Sequence, residues 1–134
     1  RMNGVDIMGA LLRGHPPLTA IVAGTSIKAG ALPDGVILPA VLVRSVGSAD
    51  RQMLKRNGFV RVTERVSVAV RAPSYREQVA AVKAIRRSSA GVIGDYPPVM
   101  RVSILTAGTG PDMRGPADSF EQTQDFRVSY DEPV

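Results

Sequence analysis

The sequence has 134 residues, with no cysteine, no tryptophan, one histidine and only 4% aromatic residues. Without cysteine there is no disulfide framework, no thiolate nucleophile and no thiolate metal ligand, a pattern that fits a reducing compartment without fixing one. The single histidine, His15, stands beside Pro16 and Pro17. It reads as a surface or helix-terminal residue rather than a general base. Metal sites need several convergent ligands, and the sequence places no close Asp/Glu cluster beside that one histidine. Asp131-Glu132 reads as a frayed end rather than a cation site. The scarcity of aromatics implies a core of Val, Leu, Ile and Ala, and it removes the stacking platform that single-stranded nucleic acid requires. The apolar run from 31 to 46 is interrupted by Pro33, Asp34, Pro39 and Arg44, so no bilayer-spanning helix is expected there. The first residues lack the charged, apolar, then small pattern of a secretory signal.

What is present is 44% hydrophobic residues and a formal net charge of +5, with an isoelectric point of about 10.2. Such a chain is globular, and its length fits one domain over 1–134 with a modest core. A basic balance points first to a nucleic-acid partner. The basic residues are nevertheless spread along the chain, with one denser patch at Arg51, Lys55, Arg56 and Arg61. A solvated surface rich in arginine accounts for that distribution more simply.

The strongest local signal runs from Val62 to Gly91. Val62, Val66, Val68 and Val70 alternate with Thr63, Arg65, Ser67 and Arg71, the period of a strand with one buried and one wetter face. Glu64 interrupts the apolar row near the strand's start. Pro73 stops it, and Ser74 with Glu77 has the spacing of a capping box. Tyr75, Val79, Val82 and Ile85 then recur at helical spacing. Before this unit, Val5 to Arg13 reads as a short amphipathic helix ended by Gly14 and the prolines. Ala23 to Gly35 reads as loop with at most a short strand. Val36 to Val46 reads as a strand with Leu38, Ala40, Leu42 and Val46 on one face and Val41 and Val43 on the other. Gly47 to Gly58 reads as a long polar connection, partly helical around Ala49 to Lys55. After the helix, Gly91 to Pro98 is a connection and Val99 to Leu105 a strand with Met100, Val102 and Ile104 on one face. Thr106 to Ala117 is a glycine- and proline-rich loop. Ser119 to Asp131 is the last strand, with Phe120, Phe126, Val128 and Tyr130 facing one way and Gln122 and Gln124 between them.

This order predicts an α+β fold: one mainly antiparallel sheet of about four strands, two helices packed on it, and long inter-strand loops. Catalytic signatures are missing. Gly108-Thr109-Gly110 with Gly115 lacks the Gly-Lys-Ser/Thr and the following helix of a phosphate loop. Ser88-Ser89 has no base partner and reads as a helix end. The expectation is therefore a non-enzymatic protein without cofactor or metal.

Three stretches resemble one family. Leu38-Pro39-Ala40-Val41-Leu42-Val43-Arg44 is similar to that family's first main strand, with a proline at its start. Val66 through Tyr75 resembles its strand-to-helix passage, and Asp125-Phe126-Arg127-Val128-Ser129-Tyr130 its closing strand. The N-terminal helix fits as well, so the likeness runs along nearly the whole chain. The family is that of the tail terminator proteins of long-tailed bacteriophages and phage-like particles, also called tail completion or head-to-tail joining proteins. The resemblance implies a virion protein assembled in the host cytoplasm, with six copies forming a ring at the head-proximal end of the tail. Its partners would be further copies of itself, the tail tube protein and the head connector or neck proteins. Double-stranded DNA would pass through the lumen without sequence-specific binding, and no membrane would be involved. It brings no residue-level motif. Contacts are therefore expected from this sequence's own loops: Arg51, Lys55, Arg56 and Arg61 on one, Asp112 and Arg114 on the other. The alternatives are a head-completion or neck adaptor protein and a small basic nucleic-acid-binding module.

Overall fold

The computed structural model describes residues 3–51 and 58–133. Its strands are β1 (Ile27–Ala29), β2 (Ala40–Arg51), β3 (Phe59–Ala72), β4 (Ile93–Tyr96), β5 (Val99–Thr109), β6 (Met113–Arg114) and β7 (Phe120–Pro133). The α-helices are α1 (Gly4–Arg13), α2 (Pro16–Thr19) and α3 (Tyr75–Ser89). All seven strands belong to one sheet in the order β1-β2-β3-β7-β5-β4, with β6 beside β7 off that path.

This corrects the expected α+β architecture of about four antiparallel strands and two helices. The protein is mostly β, a seven-stranded sheet curved into a half-barrel with few helices. The sheet is mixed because β1 runs parallel to β2, while every other pairing is antiparallel. The additional strands β1, β4 and β6 have three, four and two residues. Pieces that short cannot display a period of two, and their pairing comes from the longer neighbours they lie against.

The centre of the sheet is the β3–β7 ladder, continuous from Phe59↔Pro133 to Ala72↔Phe120. Alternation divides it cleanly. Val62, Val66, Val68, Val70, Phe126, Val128 and Tyr130 are buried under the helices. Arg61, Thr63, Arg65, Arg71, Glu121, Asp125 and Arg127 lie on the other face, as the period of two requires.

β2 departs from expectation at both ends. It begins at Ala40, so Val36 to Pro39 lies outside it, and it puts Val41 and Val43, not Leu42, into the core. It then continues as strand through Ser48, Ala49, Asp50 and Arg51, where loop or helix was expected; the rest of that expected helix lies outside the described residues. A bulge between Ser45 and Gly47 keeps β2 in register with β3. A second irregularity, with Arg101 at φ +54°, buries Val99 beside Val102 and Ile104 and turns Met100 outward.

α1 is better capped than its sequence suggested. Asn3 accepts from the Asp6 amide at 3.0 Å and the Asp6 carboxylate accepts from the Asn3 amide at 3.1 Å, a reciprocal pair that satisfies two first-turn donors. At α3 only the Ser74 half of the expected box forms, with Ser74 Oγ accepting from the Glu77 amide at 3.2 Å. The inward stripe of α3 is Gln78, Ala81, Val82 and Ile85, and Tyr75 and Val79 lie at its exposed margin.

Candidate subunit and partner interface

The two segments expected to make contacts sit at opposite ends of the sheet. Arg51 and Arg61 are cross-strand partners at the end where β2 leaves and β3 returns. Asp112 and Arg114 lie at the other end, where β6 meets the start of β7. Arg61 and Arg71 on β3 mark the two ends, about 33 Å apart at the rise of an extended strand. Lys55 and Arg56 fall outside the described residues.

The first end is a two-stranded arm. From Arg44 onward every residue of β2 is exposed, including Val46. Arg51 directly opposes Arg61, an unfavourable like-charge pair. Asp131 relieves it on one side only. This buried carboxylate lies 3.2 Å from Arg61 Nη1 and 3.5 Å from Arg101 Nη1, and Arg61 also donates to the Arg101 carbonyl at 2.7 Å. Asp131 is therefore a strand residue held by two guanidiniums, which corrects the expectation of a frayed end. Arg61 is part of the fold's own bonding. Arg51 is exposed and has no partner among the described residues. Two further pairs continue along the same face, Arg65 with Asp125 at 2.8 Å and Arg71 with Glu121. Arg44 and Arg127 on that face are exposed, so it carries a net positive charge.

The second end is a loop held rigidly by amide side chains. Gln124 Nε2 donates to the Gly108 carbonyl at 3.1 Å while its Oε1 accepts from Thr109 Oγ1 at 2.6 Å. Gln122 Nε2 donates to the Gly110 carbonyl at 3.0 Å. Asp112 accepts from Tyr75 Oη at 3.2 Å and from Gln78 Nε2 at 3.0 Å, which ties the loop to the first turn of α3. The Asp112 hydrogen bond and charge hold the Tyr75 phenol above its ordinary pKa. Arg114 donates to the Ser119 and Asp118 carbonyls and stacks 4.1 Å over the Phe120 ring. Both candidate residues of this loop therefore have intramolecular partners.

Between the ends lies the feature that sequence reasoning noticed without explaining. Glu64 is buried, and its Oε1 accepts from the Gly4 amide and from Tyr130 Oη, both at 2.9 Å. A carboxylate at this position meets the partial positive charge of the α1 N-terminus. An added Cβ at Gly4 would lie 2.8 Å from that oxygen, so only glycine lets the helix approach this closely. Glu64, Tyr130, Asn3, Ser45, Ser48, Asp50 and Val62 line an open polar cleft of about 470 Å³ beneath the arm.

The remaining polar candidates are structural in their geometry. His15 is the N-cap residue of α2 and makes no side-chain cap bond. Ser88 donates to the Ile85 carbonyl at 2.7 Å and shares a 2.9 Å bond with Ser89. Among the described residues no group of three or more His, Asp or Glu is placed to hold a metal ion, and no helix is long and apolar enough to cross a membrane.

No family model matches the sequence, and no curated protein matches it. Among solved structures, the chain is similar to a chain of the virion of a native gene transfer agent (GTA) particle. The TM-score is 0.69, with 18% sequence identity, over 92% of this chain and 91% of that chain. At that identity the likeness is one of fold.

Proposed function

We propose that this chain is a structural protein of a phage-like virion. In this reading, copies form a ring at the head-proximal end of a tail, end polymerisation of the tail tube and join the tail to the head connector. The observation that carries the reading is the end-to-end fold likeness to a chain of a gene transfer agent virion. The features of the chain fit that role. Both ends of the sheet are built to be met by something else: one as an exposed arm with an unpaired Arg51, the other as a loop fixed by Gln78, Gln122 and Gln124. A separation of about 33 Å suits contacts with two different partners, the tube on one side of a ring and the connector on the other. A ring uses heterologous contacts, one patch of a subunit against a different patch of the next. The protein works without catalysis or cofactor, and double-stranded DNA passes through without sequence-specific binding.

The test is electron microscopy of particles made after deletion of this one gene from its genome of origin. Filled heads beside unjoined, overlong tails are expected. Normal-length tails that fail to join leaking heads would instead make it a head-completion or neck adaptor protein. A second reading, a small basic nucleic-acid-binding module, draws on the unpaired arginines of the polar sheet face. Tight binding to free duplex DNA that weakens steeply with salt, with normal particles in the deletion strain, would establish it in place of the first.

A further inference from the structure

The two outer edges of the sheet have complementary steps. On one side, β1 covers β2 only at Val41, Leu42 and Val43, and the Gly30 amide donates to the Val43 carbonyl at the end of that cover. From Ser45 to Arg51 the outer edge of β2 has no neighbouring strand among the described residues. On the other side, β4 covers β5 from Val99 to Ser103, and the cover closes where Ile104 exchanges bonds with Gly91 and Val92. From Thr106 to Thr109 the outer edge of β5 likewise has no neighbouring strand among the described residues.

The register places both steps at one level. Ser45 pairs with Val66, Val66 with Phe126, and Phe126 with Thr106, so a single row crosses the sheet from one open edge to the other. On the arm side of that row β2 is bare and β4 protrudes; on the loop side β5 is bare and β1 protrudes. One edge projects by a strand wherever the other recedes by a strand. Open edges of this kind present rows of unpaired amides and carbonyls that recruit another strand.

We infer that the open edge of β2 receives the β4 edge of a second copy of this chain. The inference rests on the ring reading above and adds which surfaces meet. The β4 strand of the incoming copy runs parallel to β2, following the directions of the pairings across the sheet. Exposed aliphatic side chains mark both surfaces: Ile93 on β4 is 81% exposed and Val46 on β2 is 57% exposed. The loop-side step contributes less. The Ile27 carbonyl of β1 is already taken by Arg13 Nη2 at 2.9 Å, so part of that edge is closed from within. Because the two surfaces differ, the contact is head-to-tail and propagates from copy to copy rather than stopping at a dimer, closing to a ring where its rotation closes.

The absence of native cysteine makes the test clean. The double variant Val46→Cys/Ile93→Cys is oxidised at high protein concentration and run on a non-reducing gel, beside each single variant and beside wild type sized by light scattering. A ladder of covalent oligomers from the double variant, a single new dimer band from an equimolar mixture of the two single variants, and no such band from either alone is the expected result. Loss of association in Ile93→Lys, with its circular dichroism unchanged, should accompany it. Oligomers by scattering without the ladder would overturn the edge pairing while leaving the ring reading standing. Equal cross-linking by either single variant would also overturn it, because the edges would then pair with themselves. A chain that stays monomeric throughout, with no cross-link, would overturn it too; the ring reading would then be judged by the deletion phenotype alone.

Discussion

Replacing Gly4 by alanine should destabilise the protein, although the same change in an exposed helix interior stabilises by about 1 kcal/mol. Three atoms reverse the sign. The new Cβ would sit 2.8 Å from Glu64 Oε1, 2.9 Å from Glu64 Cδ and 3.0 Å from Val66 Cγ2. Neither neighbour can withdraw freely: Val66 is fully buried, and Glu64 is held by Tyr130 Oη at 2.9 Å. Overpacking of a tight core costs about 1–3 kcal/mol, and weakening a buried bond to a carboxylate adds about 1–3 kcal/mol. After the propensity gain is subtracted, a net loss of about 1–5 kcal/mol is expected, or roughly 4–18 °C in Tm for a domain of this size. Urea unfolding measures it directly, as a lower midpoint at unchanged slope. Tyr130→Phe removes the second donor to the same oxygen, and by itself should cost about 1–2 kcal/mol. Combined with Gly4→Ala it should cost less than the sum, because both act on one carboxylate. A neutral or stabilised Gly4→Ala protein would refute the close approach of α1 to Glu64.

The remaining predictions concern the two ends of the sheet. Gln124→Leu removes the bonds to the Gly108 carbonyl and the Thr109 hydroxyl, both on exposed residues, and should cost about 1–2 kcal/mol, with faster amide exchange confined first to residues 107–112. Arg61→Ala leaves buried Asp131 with the longer Arg101 contact alone and should lower stability by about 1–2 kcal/mol, whereas exposed Arg51→Glu should change it by no more than about 0.5 kcal/mol and act on tail joining instead; chemical denaturation of both, beside a joining assay, separates the two roles. The hydrogen bond to Asp112 raises the Tyr75 pKa above its ordinary 10.0, so the folded state holds that proton more tightly than the unfolded chain does. Its stabilisation is fully present below pH 10 and is lost as pH rises through the raised folded value. Between those points wild type should lose stability relative to Asp112→Asn, and parallel alkaline profiles would count against the pairing.

How much of this was legible in the sequence depended on whether each residue's partner was local. The alternation of Val62 to Arg71 and of Phe120 to Tyr130 identified the central strands and their faces, because a period of two is written within one strand. α1 and α3 were legible from their stops and apolar spacing, although that spacing centres the α3 stripe about one residue away from Gln78, which is fully buried. The outer strands were not legible: β1 and β4 are too short to show a pattern, and the arm half of β2 is polar on both faces, so Ser48 to Arg51 has the composition of a loop. Of the expected contact residues, Arg51 is the one seen exposed and unpaired, while Arg61, Asp112 and Arg114 carry bonds within the fold.

The polar residues inside the core interrupt the apolar pattern for a physical reason. Glu64, Gln78 and Gln124 occupy positions where periodicity calls for valine, and each is buried. Burying such groups unpaired is costly, so their presence requires nearby backbone or polar side chains in need of partners. Glu64 meets the first amide of a helix sixty residues earlier. Gln78 and Gln124 meet the 108–112 loop, donating to the Asp112 carboxylate and the Gly108 carbonyl. An interrupted apolar row is thus a marker of long-range attachment: it says that something irregular docks there, though not which segment. Gln122 and Gln124 between Phe120 and Phe126 mark an end of β7 that is met by the 108–112 loop as well as by the first turn of α3. There Asp112 and Arg114 stand exposed on a loop that the side chains of Gln78, Gln122 and Gln124 attach to the rest of the fold.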